Sequence, residues 1–241
     1  MYVISKNRGK PGFWLFMICL PKGHKNAFYG MKNRKDYIPD KNLFVKDLPG
    51  LSLKMLAEHF KLYEGYVKKS NEIQTKVESA DKSEANGVYS FIGELKRQET
   101  FAVNGMKLHE VYFGHLQGNG TPGGELVAMI EKDFGSVDAW KEAMLATGMS
   151  ARGLAILAFD YRDNRLHIYG SDGHNVGAVW GAVPVIVLDV YEHAYFTDYG
   201  ISRKAYIDTF FKNLDWQFAN KIVAEYELAK RYGKEHQQNG V

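Results

Sequence analysis

The stretch "VIVLDVYEHAYFTDYG", residues 185–200, runs apolar through Leu188, breaks at Asp189 and then places Glu192 and His193 within four residues. Val185 to Leu188 read as the buried end of a β-strand. A carboxylate and an imidazole leaving a core together at a strand end are either a hydrogen-bonded structural pair or two ligands of one metal. The choice rests on what surrounds them.

Working backward, "VPVIVLD" is the last of three expected strands and is apolar on both faces; "RGLAILAFDYRDNRLHIYG" supplies the other two around a turn at Asp163-Asn164. Before them the hydrophobic period is helical. "ELVAMIEKDFGSVDAWKEAMLATGMSA" predicts two helices parted at Gly135-Ser136, with Ser136 as cap. "QGNGTPGG", residues 117–124, is a linker. Upstream of it one helix is expected from Tyr89 through Leu116, broken near Asn104-Gly105. Another begins after Ser52, with Leu53, Leu56, Phe60, Tyr63 and Val67 at spacings of three and four. Beyond Gly200, helices are expected at Arg203–Leu214 and Trp216–Tyr232, and no internal repeat is found. The fold class is therefore α+β: an N-terminal helical hairpin over 46–118, then a C-terminal α+β domain over 125–232 with a small three-stranded antiparallel sheet.

Charge separates these parts from a basic leader over 1–45. Of the 31 Lys/Arg and 28 Asp/Glu in 241 residues, residues 1–46 hold ten basic and two acidic groups, so the remainder carries a net −5. The basicity belongs to the leader, so no nucleic-acid partner is expected. "PGFWLFMICLP" has eight unbroken apolar residues, Phe13 to Leu20, far from the roughly 20 of a membrane span. It barely reaches the apolar length of a secretory signal and shows no A-x-A cleavage pattern; translation starting at Met31 is the third reading. No membrane association is expected. A single cysteine, Cys19, excludes an internal disulfide and a thiolate-rich zinc site, and it suits a reducing, cytoplasmic setting.

Two of the eight histidines, His59 and His109, fall in the helical half among bulky apolar residues. One histidine on such a face is ordinarily a packed core residue. Two of them, added to the Asp-x-x-x-His pair, supply three imidazoles and one carboxylate without a thiolate, a donor set that favours iron or manganese over structural zinc.

These motifs together resemble the iron/manganese superoxide dismutase family. "LDVYEHAYFTDY" is similar to its signature D-V-W-E-H-A-Y-Y, "LHEVYF" to its second ligand motif N-H-x-x-Y-W, and "HFKLYEGYVKKSN" to its first. The resemblance covers roughly residues 45–230, in the same order. It implies one manganese or iron ion per subunit, bound by His59, His109, Asp189, His193 and one solvent molecule. Superoxide is then the substrate, and a homodimer or homotetramer the assembly. Tyr66 matches the active-site tyrosine, and Glu192 the glutamate that reaches the ligand histidine of the other subunit.

The chain departs from the family at several points. The iron-type glutamine position is Gly105, and the manganese-type one is His174, which either donates to the metal-bound solvent or is simply part of the turn "DGHN". His59 and Tyr66 are seven residues apart where the family has eight, so ungapped matching puts Glu58 in the ligand position. Seven residues are about 700° of helix, so His59 still shares a face with Tyr66 and is preferred. The shorter spacing suggests the loss of a π-bulge. Leu62 or Tyr63, and Phe196, replace a histidine and a tyrosine at the dimer gateway; Leu154 and Ile156 stand for two tryptophans, and Tyr191 for a third. The alternative to an enzyme is a non-catalytic binding protein on the same fold.

Overall fold

Ser52 starts the first helix by accepting the Met55 N–H at 3.1 Å, and α1 then runs Leu53–Ser79. In this computed structural model residues 35–44 and 48–234 are described. The apolar stretch Phe13–Leu20 and the start at Met31 lie outside them. Every element below belongs to the compact unit that begins at Asp36.

The second helix, α2, spans Phe91–Gly114, with Ser90 Oγ capping the Gly93 N–H at 3.1 Å. It returns antiparallel along α1: Tyr63 meets Glu110, Tyr66 lies against Gly105, and Ile73 packs with Leu95 and Ala102. The expected break at Asn104-Gly105 does not occur. Gly105 sits in unbroken helix, and a Cβ there would lie 2.9 Å from the Tyr66 ring and 3.1 Å from His174 Nδ1. The glycine marks a close approach, not a turn. Helix α1 is regular α-helix throughout, without a π-bulge.

Helices α3 (Glu125–Phe134) and α4 (Val137–Ser150) are parted where expected, with Gly135 at φ +87° and Ser136 Oγ accepting the Ala139 N–H. Three strands follow, β1 (Leu154–Asp160), β2 (Arg165–Ser171) and β3 (Ala182–Asp189), as an antiparallel sheet in the order β2-β1-β3. Asn164 takes the left-handed φ of +55° in the hairpin turn, a conformation asparagine tolerates. Pro184 is accommodated because β3 is an edge strand. The register slips there from Leu157↔Ile186 to Ala158↔Pro184, leaving Val185 as the extra residue of a bulge. Past the bulge Val185 to Asp189 are all buried, since α2 covers one face of β3.

After β3 come a single 3-10 turn (Glu192–Ala194) and α5 (Phe196–Tyr199), then α6 (Arg203–Lys212), α7 (Trp216–Glu225) and α8 (Leu228–Arg231). The expected helix Trp216–Tyr232 is thus divided at Tyr226-Glu227, where Glu227 has φ +53°. Leu228 follows the buried Ile222 and Val223 by six and five residues, which in one continuous helix would carry it about 140° from Val223. The left-handed residue resets the phase, and Leu228 is fully buried. Among the described residues no helix is long and apolar enough to cross a membrane.

Candidate metal centre

The four expected donors arrive from four elements. On α1 the buried stripe is Met55, Leu56, His59, Phe60, Tyr63 and Val67. Glu58, one residue and about 100° round the helix, points outward at 65% side-chain exposure and pairs with Lys61 at 2.7 Å, whereas His59 is 0% exposed. On α2, His109 Nδ1 donates to the Gly105 carbonyl at 2.7 Å, which fixes the tautomer and leaves Nε2 with a free lone pair. Asp189 is the last residue of β3. Its backbone carbonyl accepts from Tyr206 Oη at 2.6 Å and its Oδ1 from the Tyr191 N–H at 2.9 Å, so Oδ2 is held facing inward. The Glu192–Ala194 turn brings His193 back over it.

Asp189 Oδ2 lies 3.1 Å from His193 Nε2, 3.3 Å from His59 Nε2 and 3.7 Å from His109 Nε2. One donor atom from each residue lies within 4.8 Å of all the others. Donors about 2.0–2.2 Å from a common ion stand roughly 3–4 Å apart, so the observed spacing suits one cation. The polar inventory agrees: both nitrogens of His59 and Nε2 of His109 are buried without a hydrogen-bond partner, a cost of about 1–3 kcal/mol each if nothing binds them. Burial pushes the His59 imidazole down and that of His109 to about 3, so both are neutral lone-pair donors. Burial alone would raise Asp189, but the charge and hydrogen bond of His193, with the His59 imidazole close by, hold it well below the usual carboxylate range. His193 is raised: the Asp189 carboxylate outweighs the effect of its burial. Three imidazoles and one anionic oxygen are the donor set that suits manganese or iron.

Aromatic rings wall the cluster. Tyr66 lies 5.2 Å from the His109 ring, and burial raises its hydroxyl to about 12. His174 is packed among Tyr66, Phe101, His109 and Tyr191, with ring centres 4.7–5.4 Å away. Neither of its ring nitrogens has a hydrogen-bond partner, and burial lowers its imidazole to about 4. Tyr191 stacks on His193 at 5.2 Å. Leu154 is buried and Ile156 half-buried in the sheet. Glu192 is exposed beside His193, and Leu62 and Phe196 are exposed apolar residues. Tyr63, next to Leu62, is buried instead, its hydroxyl donating to Glu110 at 3.0 Å.

Sequence reasoning missed two tyrosines. Tyr112 lies 4.9 Å from the His59 ring, and its hydroxyl meets that of Tyr206 at 3.1 Å. Tyr206 in turn holds the Asp189 carbonyl. Tyr112 was visible three residues after His109 in "LHEVYF"; Tyr206, seventeen residues beyond Asp189, carries no local signal.

Comparison with known proteins agrees with this geometry. A family model described as iron/manganese superoxide dismutases, C-terminal domain, matches residues 122–222. The chain is 44% identical over 206 residues to "Superoxide dismutase [Fe]" of Aquifex pyrophilus, covering 81% of this chain and 97% of that protein. It is 40% identical over 176 residues to "Superoxide dismutase [Fe]" of Cupriavidus metallidurans, covering 71% and 88%. It is also 34% identical over 182 residues to "Superoxide dismutase [Mn]" of Haloarcula marismortui, covering 74% and 87%. With its three imidazoles and one carboxylate converging and this likeness over nearly the whole of its relatives, the chain belongs to the iron/manganese superoxide dismutase family.

Proposed function

We propose that this protein converts superoxide into dioxygen and hydrogen peroxide at one manganese or iron ion per subunit, held by His59, His109, Asp189 and His193, and that it works as a homodimer. The observation that carries the reading is the convergence of three imidazole nitrogens on one buried carboxylate oxygen. When bound, the ion supplies the one-electron change, oxidising one superoxide and reducing the next, so that two superoxide anions and two protons yield O₂ and H₂O₂.

The chain's own residues supply the rest. Asp189 offsets the positive charge with a carboxylate that stays ionised, and the Gly105 carbonyl keeps His109 oriented. Tyr66 keeps its proton to about pH 12 and so stands beside the centre as an O–H donor throughout the physiological range. His174, neutral above about pH 4, offers one N–H and one lone pair. It is the group we assign to hydrogen-bonding at the open side of the centre. Tyr191 and the neighbouring rings exclude bulk water, which strengthens these dipoles.

Glu192 is exposed next to His193, and Leu62 and Phe196 are bare. In our reading a second copy covers this face, and Glu192 of each copy orients His193 of the other. Residues 46–118 and 125–232 then act as two halves that contribute two ligands each. The cytoplasm is the compartment we assign, on the single cysteine.

The test is elemental analysis of the purified protein with a superoxide-consumption assay on the same sample. About one manganese or iron per subunit, with activity proportional to occupancy, is the expected result. Absence of stoichiometric metal after growth with both metals supplied, together with no activity, would overturn the proposal in favour of a non-catalytic binding protein.

A further inference from the structure

His174 reaches the centre from a turn, the least rigid kind of support, yet a group that acts on a reacting centre must be held within about 0.5 Å. Internal bonds shape that turn: the Val176 N–H donates to the Gly173 carbonyl at 3.0 Å, the Asp172 N–H to the Val176 carbonyl at 3.1 Å, and Ser171 Oγ to the Val176 carbonyl at 2.7 Å. None of these relates the turn to α2, the helix that carries His109. Three side-chain hydrogen bonds do. Asn104 Nδ2 donates to the His174 carbonyl at 2.9 Å, and Asn175 Nδ2 donates to Thr100 Oγ1 at 2.9 Å and to the Arg97 carbonyl at 3.4 Å.

Thr100 and Asn104 stand four residues apart on α2, and so on one face of it. Both central residues of the turn are therefore latched to the helix that bears the ligand. Between Asn104 and His109 the helix has Gly105, whose missing side chain leaves room for the His174 ring; a Cβ there would lie 3.1 Å from its Nδ1. One rigid segment thus carries the latch, the gap and the ligand in succession. Asn104 is half-buried, neutral and hydrogen-bonded to the backbone of His174 and not to a ligand residue.

We infer that Asn104 is a positioning residue for His174, with Thr100 and Asn175 as a second latch, so that α2 itself sets the 5.4 Å between the His174 and His109 rings. The inference rests on the role assigned to His174 above.

The experiment is a double-mutant cycle on metal-loaded protein, with Asn104→Ala made alone and together with His174→Ala. Metal content, superoxide consumption per bound metal, its pH profile and the visible absorption band of the oxidised centre are measured for each. Loss of a partner behind a metal-site group costs about 10–100-fold. Asn104→Ala alone is expected to lower activity per metal about tenfold and to shift the band and the pH profile. In the His174→Ala background it is expected to change none of them. Equal effects in both backgrounds, or no effect of Asn104→Ala alone, would overturn the inference while leaving the role of His174 intact. A silent His174→Ala would instead remove the role of His174, and the inference with it. Should Asn104→Ala fail to fold, Asn175→Ala cuts both bonds of the second latch, to Thr100 and to the Arg97 carbonyl, and is expected to shift the same band in the same direction; an unmoved band overturns the inference.

Discussion

Two glycines inside helices, Gly65 on α1 and Gly105 on α2, should respond in opposite ways to the same substitution. Neither has a positive φ, so alanine gains about 0.8–1 kcal/mol of helix propensity at either position. At Gly65 a new Cβ has nothing within 4 Å, and the gain is kept. At Gly105 it would lie 2.9 Å from Cγ and Cδ1 of Tyr66 and 3.1 Å from Nδ1 of His174. Carbon contacts are comfortable at about 3.5–4.0 Å, so the tyrosine must retreat by roughly 0.6–1 Å. The atoms struck are at the root of the Tyr66 ring, not its free end, and His174 is tied to α2 through its carbonyl. Overpacking of this kind costs about 1–3 kcal/mol, which offsets or exceeds the propensity gain and leaves a net loss of up to about 2 kcal/mol. Both displaced rings border the metal centre, and a shift of this size in positioned groups costs on the order of 10–100-fold in rate. Urea unfolding of the metal-loaded proteins, read as the midpoint at unchanged slope, gives the stabilities, and superoxide consumption per bound metal gives the rates. Gly65→Ala should be stabilised with full activity, and Gly105→Ala should be neither. If Gly105→Ala is stabilised as much as Gly65→Ala and keeps full activity per metal, the space beneath Tyr66 and His174 is not filled as described.

Asp189→Ala removes the one anionic donor and leaves three imidazoles converging on nothing, so metal content should fall below a tenth of an ion per subunit and activity by more than about 100-fold; elemental analysis checks it. His115 is fully buried away from the ligands, against Phe218, and burial lowers its imidazole to about 4, an effect only partly offset by the backbone of Val185 and Asp215. It is neutral in the fold while the unfolded chain takes up a proton below about 6.5, so its stabilisation is complete above pH 6.5 and is lost as pH falls toward 4, by about 3 kcal/mol. His115→Leu should therefore flatten the acid side of the stability profile, whatever it does to the stability at pH 7; an unchanged slope between pH 4 and 6.5 would contradict the assignment. In the proposed dimer the Glu192 carboxylate reaches the other copy, and it has no side-chain hydrogen bond within its own chain among the described residues, so Glu192→Ala should shift the protein toward monomer in sedimentation at low concentration.

Much of the site was legible because its signals are local. The Asp-x-x-x-His pair lies at a strand end marked by four apolar residues, and His109 lies within one motif. The caps Ser52 and Ser136 announce their helices through a side chain three residues from the N–H it accepts. The errors also have local causes. Glycine in a helical stretch signals either a break or a close neighbour, and only the neighbour, 39 residues away on α1, decides between them at Gly105. The end of α7 was misplaced because helical periodicity continues in the sequence while Glu227 turns left-handed to bury Leu228.

The sequence by itself determined which elements form and which residues are chemically able to bind a metal, since side-chain type and period are written along the chain. Tertiary structure decided which of them meet. His59 rather than Glu58 faces Asp189 because a rotation of about 100° separates core from solvent, and α2 packed on β3 settles which side is core. Asp189 is aimed by Tyr206, and His174 is placed by Asn104, partners 17 and 70 residues away. Such contacts depend on how helices and strands pack against one another, and packing at that range leaves no periodic trace in the order of residues.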